Sequence, residues 1–330
     1  MRVIAALDKF RATATADELA AAVGQAAAAA GWECVARPLA DGGEGTLDVL
    51  GGANRTTEVT DPLGRPVTAS WRLDEEGAVL EAAAANGLAL VGGAEGNDPV
   101  GATSRGVGEL LVAAVRAGAR HLILGVGGSA TSDGGAGAVA AWREAMGDRP
   151  LSMLQVCCDV STRFTDAAIV YGPQKGASPA QIEVLTERLQ RLRDETWEQG
   201  GVDLDQVPGS GAAGGLAGGL AAVGATLVPG LDAIADRVGF DKAMTEADLV
   251  VTGEGRFDAT SLQGKVVGGV IDRARALGVP VLVVAGSVAP GVRPGPGVDV
   301  IELVGRFGVD RSFGDAVGCV REAVQGVLAG

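Results

Sequence analysis

Three stretches of this chain set charged side chains beside bare backbone or at the end of a strand, a pattern suited to holding a charged ligand close to the main chain. LADGGEGT (39–46) places Asp41 and Glu44 among Gly42, Gly43 and Gly45. VVTGEGRFDATSLQGK (250–265) carries Glu254, Arg256 and Asp258 with Gly253 and Gly255, and Lys265 stands before the next helix. LDKFRATATA (7–16) brings Asp8, Lys9 and Arg11 to the end of a strand. A fourth stretch, GVGGSATSDGGAG (125–137), joins Gly127 and Gly128 to the hydroxyls of Ser129, Thr131 and Ser132 between a strand and a helix. Consecutive amides ahead of a helix N-terminus make an anion cradle. Asp133 in that stretch either caps the helix or accepts a proton from a substrate hydroxyl.

The basic residues are unevenly chosen. Arginine outnumbers lysine 23 to 4, and the lysines are Lys9, Lys175, Lys242 and Lys265. Three of them fall in loops flanked by glycine or acid, LDKF, GPQKGA and LQGKV, where a compact point charge is useful. Other chemistries lack their parts. His121 is the single histidine and begins a strand, so Ser-His-Asp and Cys-His catalysis would have to depend on it alone. Cys34, Cys157, Cys158 and Cys319 have no zinc spacing and no C-x-x-C, and the adjacent Cys157 and Cys158, in the apolar run LQVCCDV, read as small buried apolar residues. Gly209, Gly211 and Gly214 spell G-x-G-x-x-G, but no strong strand precedes them. A phosphate-binding P-loop fails at Ala259 and Val266. Acids beside phosphate loops make sense with Mg²⁺ between them, since Mg²⁺ favours carboxylates, water and phosphate oxygens. Phosphoryl transfer needs positioning and charge neutralisation rather than histidine or cysteine, and this inventory fits a kinase.

Positioning these groups requires parallel strands. RVIAAL (2–7) is a continuous apolar run, the mark of a strand covered on both faces. A helix over 14–31 and a strand over 34–40 complete a βαβ unit. Residues 56–84 alternate polar and apolar around DPLGRP and predict a hairpin or meander. Helices are expected near 104–117, 134–145, 178–199 and 212–223, and the α/β rhythm returns from 248. The expected architecture is α/β with two domains. Residues 1–55 with 240–330 form a Rossmann/flavodoxin-like parallel-sheet domain, and residues 56–239 form an inserted mixed α/β domain. Ligands in such sheets bind beyond the carboxyl ends of the strands.

The net charge of −14 repels nucleic acid and anionic lipid. No apolar run reaches the ~20 residues of a membrane helix, and a cytoplasmic location is expected. A homodimer is left open.

DKFRATATADELA, ADGGEGT, DPLGR, GGSATSDGGAG, YGPQKGA, GSGAAGGL and VTGEGRFD-x-x-S-x-x-GK, in this order, resemble the bacterial type I glycerate kinases over nearly the whole chain. The resemblance implies ATP-dependent, Mg²⁺-assisted phosphorylation of D-glycerate, usually to 2-phosphoglycerate, by two α/β domains with the active site in their cleft. The chain departs from the family pattern at Arg11 and Ala12, where lysine and glycine are usual, at Ser161–Arg163 in place of Asn-Pro-Leu, and at Thr260 in place of glutamine. The segment after residue 145 is also shorter. On this reading Gly127, Gly128, Ser129, Thr131 and Ser132, with Gly253 and Gly255, hold the phosphates of ATP. Asp41 and Glu44 orient Mg²⁺, directly or through water. Lys9, Arg11 and Arg256 hold the glycerate carboxylate, and Lys265 offsets charge on the transferred group. Asp133 is the expected general base, with Asp258 as substitute. Phosphorylation of another small hydroxy acid, and a non-catalytic nucleotide or metabolite sensor on the same scaffold, are the alternatives.

Overall fold

The structure, a computed structural model, describes residues 1–262 and 265–330. Gly264, the glycine of the GK pair in the last motif, lies outside the described residues. Eleven strands are described: β1 (Arg2–Ala5), β2 (Glu33–Ala36), β3 (Arg55–Thr60), β4 (Pro66–Asp74), β5 (Gly77–Glu81), β6 (Leu122–Gly125), β7 (Leu154–Cys157), β8 (Thr226–Val228), β9 (Leu249–Phe257), β10 (Val281–Val288) and β11 (Val298–Glu302). The chain divides into two compact units, Met1–Asp41 with Leu231–Gly330, and Gly42–Gly230.

The first unit is built on a wholly parallel sheet in the order β2-β1-β9-β10-β11. Counted within this unit, that order is 2-1-3-4-5, the flavodoxin-like winding expected from the sequence. The central strands are continuous apolar runs because helices cover both faces. Val3, Ile4, Ala5, Val283, Val284 and Ala285 are fully buried. The helix Ala16–Ala29 starts at a capping box in which Thr15 and Glu18 satisfy each other's backbone amides. Its buried face is mostly alanine, which lets it lie close to the helix Ala316–Leu328, whose Cys319, Val320 and Ala323 are buried.

The second unit carries a mixed sheet in the order β3-β4-β5-β6-β7-β8. β3, β4 and β5 are antiparallel neighbours, the meander expected from the alternating pattern, and β5 to β8 run parallel. The DPLGRP turn is held by Asp61, whose carboxylate accepts from the amides of Leu63 and Arg65 and from the Arg65 guanidinium. Trp71 and Trp142 are buried in its core. The long helix expected near 178–199 spans Pro179–Gly200, again opened by a capping box, Ser178 with Gln181.

The division of the chain falls at 41/42 and 230/231, whereas the alternating pattern places it near 55 and 240. Residues 42–55 pack with the second unit for identifiable reasons. The Leu47 amide donates to Glu81 at 2.9 Å, and Arg72 donates to the Gly51 carbonyl at 2.8 Å. A Cβ on Gly42 would lie 2.4 Å from the Cys157 Cβ, so the backbone there touches β7 directly. At the other end, Arg273 pairs with Asp232 and with Asp241, holding the helix Gly230–Val238 to the first unit.

Cys157 and Cys319 are buried, Cys34 and Cys158 partly so, and all four are free thiols. Burial pushes the Cys158 thiol up to about 11. No described helix is long and apolar enough to cross a membrane.

Candidate active site

The first unit opens a cavity of about 340 Å³ at the carboxyl ends of β1 and β9. These are the two strands where the order of the sheet reverses, the switch point at which open α/β sheets bind ligands. The Asp8 amide donates to the Gly253 carbonyl at 3.1 Å and ties the two strand ends together. The Lys9 amide donates to Asp8 Oδ1 at 2.7 Å. A bridge between Phe10 and Ala14 then turns the chain, with Ala12 in the left-handed region at φ 62°. Lys9 and Arg11 are thereby carried on a short, hydrogen-bonded loop leading straight into the helix at Ala16.

Lys9, Arg11, Arg256 and Lys265 line the cavity together with Asp8, Asp41, Glu254 and Asp258. Gly255 also lines it, whereas Gly253 is buried within β9 and paired with Val284 of β10. Seven of the expected residues (Lys9, Arg11, Asp41, Gly255, Arg256, Asp258 and Lys265) therefore meet in one place.

The carboxylates of this cavity are not equivalent. Burial pushes Asp8 up to about 6; the Lys9 ammonium opposes the shift and the Asp41 charge adds to it. Burial pushes Glu254 further, up to about 7, against the hydrogen bond from Ser261 and the charge of Lys265. The charges of Asp8 and Asp258 add to the rise. One Glu254 oxygen, Oε1, is buried with no hydrogen-bond partner among the described residues. Asp258 moves the other way. The Thr260 hydroxyl and amide donate to its Oδ1 at 2.6 and 2.8 Å and hold its carboxyl below the usual range. Lys265 Nζ in turn donates to Thr260 Oγ1 at 3.3 Å. Thr260 thus links Lys265 to Asp258.

The GGSATSDGG loop of the second unit is arranged differently. Gly127 and Gly128 are exposed, while Ser129, Thr131, Ser132 and Asp133 are buried. Asp133 accepts four hydrogen bonds: Oδ2 from the Ser104 amide, the Ser104 hydroxyl and the Gly137 amide, and Oδ1 from the Gly135 amide. Ser104 Oγ accepts from the Ala138 amide at 3.0 Å. Gly135 is the N-cap residue of the helix Ala136–Met146 and supplies no side chain, so the Ala136 amide goes to the Asp133 carbonyl and the Gly137 and Ala138 amides go to the side chains of Asp133 and Ser104. Asp133 is thereby engaged in tying this loop to Ser104 and to the start of the helix.

Lys175 of the GPQKGA stretch is 2% exposed, and its Nζ donates to Ser129 Oγ at 3.0 Å and to the Thr131 carbonyl at 2.5 Å. Burial brings its ammonium down to about 7, against the attraction of Asp133. Asn97 bonds the carbonyls of both Ala130 and Lys175, and Asn86 donates to Thr131 Oγ1. The loop is thus braced from within by a cation. Glu44 stands exposed in the second unit, just ahead of the short helix Thr46–Val49.

Asp8, Glu254 and Lys175 were not among the residues assigned roles from the sequence. Lys175 carried a signal, as one of four lysines in an arginine-rich chain. Glu254 carried only its place beside two glycines, because the burial of its Oε1 away from any described donor is set by the folded chain. Among the described residues, no group of three or more His, Cys, Asp or Glu side chains could by itself enclose a metal ion. The cavity offers instead the one- or two-carboxylate attachment that Mg²⁺ uses when waters and phosphate oxygens complete its shell.

A family model described as the glycerate kinase family matches residues 3–150 and 148–301. The chain is 35% identical to glycerate 2-kinase of Escherichia coli K12, over 99% of this chain and 94% of that protein. It is 38% identical to a glycerate kinase of Halalkalibacterium halodurans, over 84% of this chain and 80% of that one. A crystal structure from Salmonella typhimurium LT2, of a protein assigned as glycerate kinase 2, superposes with a TM-score of 0.86 at 34% identity, covering 100% of this chain and 97% of that one. With its sheet order, its cavity at the switch point and these matches along its whole length, the chain belongs to the glycerate kinase family.

Proposed function

We propose that this enzyme transfers the terminal phosphoryl group of ATP to a hydroxyl of D-glycerate, with Mg²⁺, to give 2-phosphoglycerate. The observation that carries the reading is the cavity of the first unit, where four cations and four carboxylates line about 340 Å³ at a strand-order switch point. That volume suits a small hydroxy acid with the end of a phosphate chain. Arg11 and Arg256 supply planar guanidinium groups to the glycerate carboxylate, and Lys9 adds a point charge beside them. Lys265 offsets the charge that develops on the transferred group. Mg²⁺ fits the wall formed by Asp41, whose charge already raises the proton affinity of Asp8 and would be relieved by a divalent cation. When bound, Mg²⁺ neutralises phosphate charge. Gly255 brings backbone to the cavity edge, and in the second unit Gly127 and Gly128 leave backbone open to solvent beside the buried Ser129.

The test is ADP release by the purified protein with ATP, D-glycerate and Mg²⁺, with the product identified by ³¹P NMR. A Mg²⁺-dependent rate and a signal from the 2-phosphate are expected. Arg11→Ala should raise the apparent KM for D-glycerate at least tenfold while that for ATP stays within threefold. Folded protein showing no rate above background would overturn the proposal, and turnover confined to another hydroxy acid would replace its substrate.

A further inference from the structure

The family assignment leaves the proton of the attacking hydroxyl without a recipient. Asp133 is saturated by four donors in the second unit, and Asp258 is held in its ionised form by Thr260. Glu254 differs from both. It stands within the pairing of β9 and β10, opposite Ala285, and lines the same cavity as Lys9, Arg11, Arg256 and Lys265. Its Oε1 is shielded from water yet bonded to no donor among the described residues. A carboxylate oxygen kept in that condition is costly to the fold, and an incoming hydroxyl would satisfy it.

We propose that Glu254 is the general base of the reaction. This rests on the glycerate reading given above. The acceptor hydroxyl loses its proton to Glu254 Oε1 as its oxygen bonds to the terminal phosphorus of ATP. The bond from that phosphorus to the bridging oxygen breaks, and its electron pair leaves on ADP. Glu254, now a neutral acid, returns the proton to water.

The groups facing Glu254 are consistent with such a role. Asp8, across from it at the end of β1, and Asp258 favour the protonated form, while Ser261 and Lys265 favour the ionised form. β10 presents Ala285 and Gly286 there, and the helical segment over 303–314 presents Val304, Ser312 and Phe313, so neither adds a charge. The balance places its titration at about 7, where a base is ionised at working pH and still binds a proton well.

The experiment measures kcat and both KM values from pH 5.5 to 9 for wild type, Glu254→Gln and Glu254→Asp. Wild type should show an acidic limb bending near pH 7. Glu254→Gln should lose at least thirtyfold in kcat, keep its KM for ATP within threefold, and lose the limb. Glu254→Asp should keep the limb with an intermediate kcat, and it decides the matter if Glu254→Gln does not fold. Glu254→Gln retaining more than a thirtieth of kcat, or keeping the limb, would overturn the proposal while leaving the glycerate reading intact. Wild type without glycerate turnover would overturn both.

Discussion

Replacing Asp133 by alanine separates a structural carboxylate from a catalytic one. The side chain is 6% exposed and receives hydrogen bonds from Ser104 (amide and hydroxyl), Gly135 and Gly137. Removing it strands the buried amides of Ser104 and Gly135 and the half-buried amide of Gly137, while the Ser104 hydroxyl can turn to another acceptor. A stranded buried donor costs ~1–3 kcal/mol. Allowing one amide to be rescued by water in the vacated space, the expected loss is about 4 kcal/mol. For a unit of this size each kcal/mol lowers Tm by ~2–4 °C, so a fall of roughly 8–16 °C follows. Asp133→Asn keeps an acceptor for the three Oδ2 donors but turns its NH₂ toward Gly135, and should lose about half as much. Fluorescence is a suitable probe, because Trp71 and Trp142 are both buried in the second unit. Thermal unfolding should be read beside kcat on the folded fraction. A Tm within about 2 °C of wild type, with kcat reduced a hundredfold or more, would refute the capping argument and restore Asp133 as a chemical group.

Ala12→Gly should stabilise the first unit by roughly 0.5–1 kcal/mol in urea unfolding, because the left-handed conformation at φ 62° costs an L-residue more than glycine loses in chain entropy. Gly253→Ala and Gly255→Ala should part company. A Cβ at 253 would meet the Val284 carbonyl at 2.1 Å and should cost at least ~3 kcal/mol of stability, whereas at 255 the nearest atom is 3.7 Å away and only activity should suffer. Lys175 is lowered from 10.5 to about 7 by burial, so between those values the unfolded chain binds the extra proton. The stability of the second unit should therefore rise with pH from about 7 toward 10 in wild type, and Lys175→Met should lose that slope in pH-dependent denaturation.

The winding of the first unit is legible in the chain because its strands are unbroken apolar runs with helical stretches of clear period between them. RVIAAL and VPVLVVAG can be buried only on both faces, and that demands a parallel sheet. The edge of the insertion is less legible. Residues 42–55 hold few apolar side chains in any period, and their allegiance follows from contacts with Glu81, Arg72 and Cys157, which lie far along the chain. The same distinction runs through the site. Residue type and glycine spacing are local, so the stretches bearing Lys9, Arg11, Arg256 and Lys265 stand out as carriers of charge. Whether both oxygens of an acid meet donors, as in Asp133, or one is left without, as Glu254 Oε1 is among the described residues, depends on which donors other segments bring within 3 Å or so of it. Proton affinity follows from that environment and from the depth of burial, and both are properties of the folded chain.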